Sequence, residues 1–149
     1  MQFVTMPPMG DLPPTPQASS PHARRAMQGN RRTNTNPEVS VRRLLHRAGL
    51  RYRVDFPVVA GETRVRPDVV FTRQKVCLFV DGCYWHGCPD HCRIPASNRE
   101  YWEAKIARNR ARDERVTLEL ERSDWIVVRA WEHDPVEKVL SRVLAALAR

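Results

Sequence analysis

The sequence predicts a mixed α/β domain: a mixed β-sheet with helices packed against it. Short apolar runs of strand length, 76–80 above all, lie between segments whose apolar residues recur at helical spacing. The elements follow the order helix, three strands, helix, strand, helix, which suits a mixed sheet flanked by helices. The length of 149 residues gives room for one core of ordinary size.

Residues 1–22 hold six of the twelve prolines, with Ser, Thr and Gln and almost no charge. Such a stretch buries too little apolar surface to offset its ordering entropy, so a disordered leader is expected. Residues 23–36 are a basic arm carrying Arg24, Arg25, Arg31 and Arg32. The arm is either a solvated tail or a segment that folds on DNA. Residues 37–149 form the expected folded domain.

Asn36-Pro37-Glu38 opens the first helix, with Asn36 as N-cap, Pro37 in the first turn and Glu38 near the positive end of the dipole. Val41, Leu44 and Leu45 form its apolar stripe, and Gly49 ends it. Residues 50–58 read as a strand and Ala60-Gly61-Glu62 as a turn. Strands over 64–71 and 76–81 are joined by the polar turn Thr72-Arg73-Gln74-Lys75, and a loop runs on to Ala96. Ser97 with Glu100 makes a capping box for a long helix ending near Arg122. Residues 125–130 form a short buried strand. Asp134-Pro135 and Glu137 start the last helix, whose apolar face is Val136, Val139, Leu140, Val143, Leu144 and Leu147.

A net charge of +8 is compatible with a polyanionic partner, because phosphate contacts dominate nucleic-acid affinity, and equally with a small basic protein that has none. No stretch approaches the roughly 20 apolar residues of a membrane span. The N-terminus lacks the apolar core of a secretion signal, so a reducing, cytoplasmic setting is expected. There, clustered Cys and His bind metal more often than they form disulfides.

That cluster is Asp81-Gly-Cys-Tyr-Trp-His-Gly-Cys-Pro-Asp-His-Cys92, which holds three of the four cysteines and two of the five histidines. Cys83, Cys88 and His91 can wrap one tetrahedral zinc. His133, just past the 125–130 strand, is the better fourth ligand; adjacent Cys92 is the alternative. Cys77 reads as a small buried hydrophobe within its strand.

Asp68 follows Pro67 at a strand start, where Asp is disfavoured, so it is either a turn residue or a placed ligand. If strands 64–71 and 76–81 pair as a hairpin, Asp68 and Asp81 meet at its far end, and such oxygen ligands suit Mg²⁺. Trp102, Ile106, Asn109, Asp113, Val116 and Leu120 share one face of the long helix. Asn109 and Asp113 interrupt its apolar stripe, either as structural hydrogen-bond partners or as active-site lining. Glu38 is a third acid or simply a dipole-complementing one. His86 is a general base or a further zinc ligand. Tyr84 and Trp85, at an expected exposed loop tip, stack on bases or pack on the knot as a small core.

Pro67-Asp68, Phe79-Val-Asp-Gly-Cys-Tyr-Trp-His-Gly-Cys-Pro-Asp-His91, Tyr101-Trp102 with Lys105, Asn109 and Asp113, and the run from Trp125 to His133 resemble the very short patch repair endonucleases. The resemblance spans roughly residues 23–135. It implies a restriction-endonuclease-like fold of the PD-(D/E)-x-K type and a bacterial, nucleoid-associated enzyme. That enzyme would be a monomer that nicks one strand of a double-stranded DNA at a T:G mismatch, alongside mismatch-repair proteins. It further implies Asp68 as the Mg²⁺-binding acid with the Val80 carbonyl as second contact, His86 as base and Glu38 as auxiliary acid. Asn109 and Asp113 match active-site positions. Cys83, Cys88, His91 (or Cys92) and His133 match a structural Zn²⁺ site, and Tyr84, Trp85 and Trp102 match rings that enter the DNA stack. The sequence departs from the pattern at Asp81, where the best-known members carry His. Two zinc positions also exchange Cys and His, and Asn34-Thr35 stands where those members carry Asp-Thr. A restriction-like nuclease reading a sequence or modified base, and a DNA-binding module with a decayed site, are the competing readings.

Overall fold

The computed structural model describes residues 13–29 and 34–149. The elements are α1 (Pro21–Gly29), α2 (Asn36–Arg47), β1 (Val58–Ala60), β2 (Thr63–Val65), β3 (Val69–Phe71), β4 (Val76–Asp81), α3 (Arg99–Arg122), β5 (Ile126–Trp131) and α4 (Val136–Leu147). Two small sheets result: the hairpin β1–β2, and a three-stranded sheet ordered β3-β4-β5. β3 runs antiparallel to β4 with Val69 opposite Leu78, and β5 runs parallel to β4 with Phe79 opposite Arg129.

β4 is the middle strand, and alternation along it feeds two cores. Val76 and Leu78 join Val69, Phe71, Val128 and Ala130 against α2 and α4. Cys77 and Phe79 turn the other way, toward Val58, Ala60, Val116 and Leu120 on the hairpin and α3. The sheet is therefore covered by helices on both faces, and β4 reads as a continuous apolar run for that reason.

The ends of the elements follow local chemistry. Leu50 N–H reaches the Leu45 carbonyl at 3.1 Å and Gly49 N–H the His46 carbonyl at 3.0 Å. With Gly49 at φ 82°, this is a Schellman stop for α2, where Gly49 was expected to end the helix. The expected N-cap moves by one residue: Thr35 is the cap and Asn36 is already helical. Glu38 reaches back to accept the Asn34 N–H at 2.8 Å. The capping box expected at Ser97 is not formed. Asn98 takes the cap position in the left-handed region, φ 56°, with no side-chain bond.

The strand expected over 64–71 is broken into β2 and β3 at Arg66-Pro67-Asp68, because Pro67 has no N–H to give a ladder. The strand expected over 50–58 reduces to a single Arg53–Val70 bridge and the start of β1. The last strand is shifted one residue, to Ile126–Trp131.

Pro21–Gly29 is helical, where the sequence predicted the end of a leader and a basic arm. Ser20 Oγ accepts the Ala23 N–H at 3.1 Å, and Pro21 occupies the first helical position. Residues 13–20 carry no helix or strand, and the rest of the leader, with Arg31 and Arg32, lies outside the described residues. Among the described residues no helix is long and apolar enough to cross a membrane.

Leu120 is fully buried between α3 and the sheet, whereas Leu118 two residues away is half exposed. Leu120→Ala should cost about 2–5 kcal/mol of unfolding free energy. Leu118→Ala should change it by less than about 0.5 kcal/mol. Urea unfolding of the two variants side by side checks the placement of this face.

Candidate active site and metal centre

The break at Pro67 creates the site. Asp68 N–H donates to the Leu78 carbonyl at 3.0 Å, and the Asp68 side chain turns to accept the Val80 N–H through Oδ2 at 2.7 Å. The carboxylate thus takes the place of a main-chain acceptor at the end of the β3–β4 pairing. Burial pushes its pKa up to about 6, against the pull of the Val80 N–H; the nearby Glu38 and Asp81 charges push the same way and Arg42 opposes them.

Glu38, only 5% exposed, comes from the first turn of α2. Arg42, one turn on, lies 3.5 Å from Glu38 Oε2 and donates through Nε and Nη2 to the Asp68 carbonyl at 3.3 Å. Arg42 was not singled out from the sequence, where it reads as one of many surface arginines.

Across β4 from this acid lies a second group. His86 Nδ1 is bonded to Asp113 Oδ2 and stands 3.7 Å from Asp81 Oδ1. Burial alone would raise the Asp113 pKa, but the His86 bond and the charges of His86, Arg129 and Arg112 hold it below the ordinary carboxylate value. An ionised Asp113 only accepts, so Nδ1 carries the proton, and in the neutral form of the ring the lone pair is on Nε2. Asp81 does not stand free beside Asp68: both its oxygens accept from Arg129 Nη1 at 2.9 Å. Asn109 donates to the Trp85 carbonyl at 2.8 Å, so it ties the loop after β4 to α3.

That loop is coiled by backbone turns: His86 N–H to the Gly82 carbonyl, Cys88 N–H to Cys83, and Cys92 N–H to Cys88. The coil gathers Cys83, Cys88, His91 and His133, whose ligand atoms all lie within 4.8 Å of one another. Cys83 Sγ is 3.0 Å from His133 Nδ1, and Cys88 Sγ is 3.7 Å from His91 Nδ1 and 3.9 Å from His133 Nδ1. Ligand bonds of about 2.0–2.3 Å give a tetrahedron edges of roughly 3.3–3.8 Å, so this donor set fits one tetrahedral ion. Cys92 is outside the quartet, its Sγ facing the Tyr84 carbonyl at 3.6 Å. Glu132, unremarked in the sequence, accepts the Cys83 N–H at 2.9 Å and clips the loop to the end of β5.

The aromatic residues differ from expectation. Tyr84 and Trp85 are half-buried rather than exposed, and Trp102 is buried. Each pair of the three rings meets edge to face, with centroids 5.0–6.1 Å apart. The Lys105 ammonium sits 5.3 Å from the Trp85 ring and 5.4 Å from Trp102. The turns described above fold the loop tip back onto α3, which is why the rings lose exposure. Residues 16–19 and Ala23 face these rings across a cavity of about 540 Å³. Arg24 and Arg25 on α1 are exposed.

An acid at a strand break, a carboxylate-held imidazole and a Cys/His cluster are thus gathered around the end of β4 in a chain of net charge +8. The family model for the DNA mismatch endonuclease Vsr matches residues 19–93. The type II nicking enzyme V.NaeI of Lentzea aerocolonigenes is 45% identical over 124 residues, covering 83% of this chain and 75% of that protein. The type II nicking enzyme V.XorIIP of Xanthomonas oryzae is 44% identical over 117 residues, 76% of this chain and 82% of its own. The DNA mismatch endonuclease Vsr of Escherichia coli strain K12 is 36% identical over 92 residues, 60% of this chain and 55% of its own. The chain belongs to the Vsr family of DNA endonucleases.

The raised Asp68 pKa has a consequence for stability. Folding shifts this carboxyl from 3.8 to about 6, so the folded state favours the protonated form. Its ionised form costs stability above pH 6, and the cost vanishes below the unfolded pKa. Asp68→Asn can still accept the Val80 N–H but cannot ionise. Without divalent metal it should be more stable than the parent by on the order of 1–3 kcal/mol at pH 8 and equal to it near pH 3.5. Chemical unfolding at the two pH values measures the difference.

Proposed function

We propose that this endonuclease nicks one strand of a DNA duplex at a T:G mismatch, using Mg²⁺ at Asp68 and a structural Zn²⁺ in the Cys/His quartet. The observation that carries the proposal is the His86–Asp113 bond together with the strand-break acid Asp68, the two groups linked by Asp81, whose charge acts on Asp68 and which lies 3.7 Å from His86. A restriction-endonuclease-like core of the PD-(D/E)-x-K type is supported by Pro67-Asp68 entering an antiparallel pair whose second strand lies parallel to a third.

Asp68 and the Val80 carbonyl would hold Mg²⁺, which when bound neutralises charge at the scissile phosphate. His86 draws a proton from the attacking water through Nε2. Asp113 keeps the ring in the tautomer that leaves Nε2 free and stabilises the imidazolium that forms. Glu38 is the auxiliary acid, its place fixed by Asn34 and Arg42. Asp81 lies 3.7 Å from the same His86 nitrogen that binds Asp113, and Asn109 keeps the loop in register with α3.

Cys83, Cys88, His91 and His133 would hold Zn²⁺ as a closed four-ligand site that stiffens the loop after β4. Tyr84, Trp85 and Trp102, packed as one unit, present ring edges to a base step, and Arg24, Arg25, Arg31 and Arg32 contact phosphates. Unstacking a step costs a few kcal/mol, and less where the pair is already mismatched, so selectivity follows from the difference in deformation cost. The enzyme would act as a monomer on nucleoid DNA in the cytoplasm, with mismatch-repair proteins as partners. Relatives bearing the name type II nicking enzyme support a second reading, a nickase whose substrate is set by a restriction system's recognition sequence.

A duplex with one T:G pair and its matched counterpart, each with Mg²⁺ and with EDTA, separates the readings. Nicking of the T:G strand alone, lost in EDTA, is expected; equal cleavage of both duplexes favours the second reading. His86→Ala should slow single-turnover nicking by about 10²–10⁴, the range of a lost general base. Metal analysis should return about one zinc per chain, and Cys88→Ala should lower both zinc content and melting temperature. A stable, zinc-free wild-type protein would count against the structural ion.

A further inference from the structure

We infer that Arg129 is a positioning residue for the nicking reaction: it takes Asp81 out of competition for His86 and sets Asp113 as the partner of that ring. The inference rests on the proposed role of His86 as base. Arg129 stands in the middle of β5, an unusual place for a charge, paired in register with Phe79. Its guanidinium lies 4.4 Å from the Phe79 ring centroid, so the stem and plane are packed rather than solvated.

From there it reaches two elements at once. Nη1 donates to both oxygens of Asp81 at the end of β4, each at 2.9 Å. Nε donates to Thr117 Oγ1 at 3.0 Å and Nη2 to the Asp113 carbonyl at 3.4 Å, both on α3. Nη2 also lies 3.9 Å from Asp113 Oδ1.

His86 stands between the two carboxylates. Its Nδ1 is bonded to Asp113 and is 3.7 Å from Asp81. Two free carboxylates at one imidazole nitrogen would offer two orientations, and only one can aim Nε2 at a water near Asp68. Arg129 removes the choice. It engages Asp81 through both oxygens, and it holds the Asp113 turn of α3 at a fixed height against β5. The planar fork is what makes this possible, since a lysine ammonium cannot serve Asp81, Thr117 and the α3 carbonyl together.

If Arg129 acts through His86, the two must be non-additive. The test uses the full chain and single-turnover nicking of the T:G duplex, with DNA affinity measured separately. Arg129→Met should lower the rate by about 10–10² in the wild-type background, and by less than about 3-fold in His86→Ala. Affinity should stay within about 2-fold, because the guanidinium faces inward and loses no phosphate contact. Arg129→Lys should retain charge without the fork and fall between. An equal rate loss in both backgrounds overturns the inference, since Arg129 would then act on the fold. If His86→Ala alone costs nothing, the failure lies with His86 as base.

A second readout needs no substrate. The His86 Nδ1 proton, bonded to an ionised carboxylate, should give a downfield resonance in proton NMR that His86→Ala removes. Arg129→Met, and Arg129→Lys if the Met variant does not fold, should shift or broaden that resonance. The same resonance unmoved in a folded Arg129 variant overturns the inference.

Discussion

The bond from Val80 N–H to the Asp68 carboxylate is the point on which the site depends. A β-ladder normally ends where its backbone partners end. Here Pro67 interrupts the incoming strand, and the Asp68 side chain supplies the next acceptor for the central strand. The carboxylate is therefore located with main-chain precision, 2.7 Å from an amide on a strand buried on both faces. Leu78 and Phe79, turned to opposite cores, hold that amide in place. Few side-chain carboxylates on a loop would be so constrained, and reactive groups must be held to fractions of an ångström.

From the same strand end the chain runs directly into the Cys/His knot. Val80 and Asp81 end β4, and Cys83 follows one residue after Gly82. The knot is closed by His133, two residues past the end of the parallel strand β5. Two neighbouring strands thus leave the sheet side by side and are joined again by the Cys/His quartet and by Glu132. His86 and the aromatic residues ride on this closed loop. Their positions relative to Asp68 are set at one end by the sheet and at the other by the quartet and the Asn109 bond. Whatever distorts the quartet displaces His86 as well.

Much of this was legible in the sequence because it rests on local pattern. Asp68 set after Pro67, the apolar run of β4, the Cys83-Cys88-His91 spacing and the polar interruptions at Asn109 and Asp113 are short-range signals, although the break that Pro67 makes in the strand expected over 64–71 was not foreseen. That His133 rather than Cys92 gathers with Cys83, Cys88 and His91 was also expected, since adjacent residues strain to reach one ion. Arg129 was not. Read along the chain it is a charge inside an apolar strand, and its meaning appears only when β5 lies beside β4 and α3 crosses behind. Arg42 and Glu132 are alike in this: each makes a contact with a residue far along the chain. The helix Pro21–Gly29 was missed because the proline count of the leader outweighed the Ser20-Pro21 start signal. The loop aromatics were misjudged for the opposite reason, glycine neighbours suggesting an exposed tip where turns fold the rings inward.

The Asp81–Arg129 pair bears on how such a site can change over generations. Removing Arg129 leaves a largely shielded Asp81 without its arginine, and removing Asp81 leaves Arg129 only the more distant Asp113, so either single step is destabilising. Replacing both together by uncharged side chains of similar size carries no such cost. The two positions, 48 residues apart, therefore behave as one heritable character. Changing only one of the two should therefore yield a protein less stable than either the parent or the double replacement, a valley set by electrostatics rather than by any demand of the substrate.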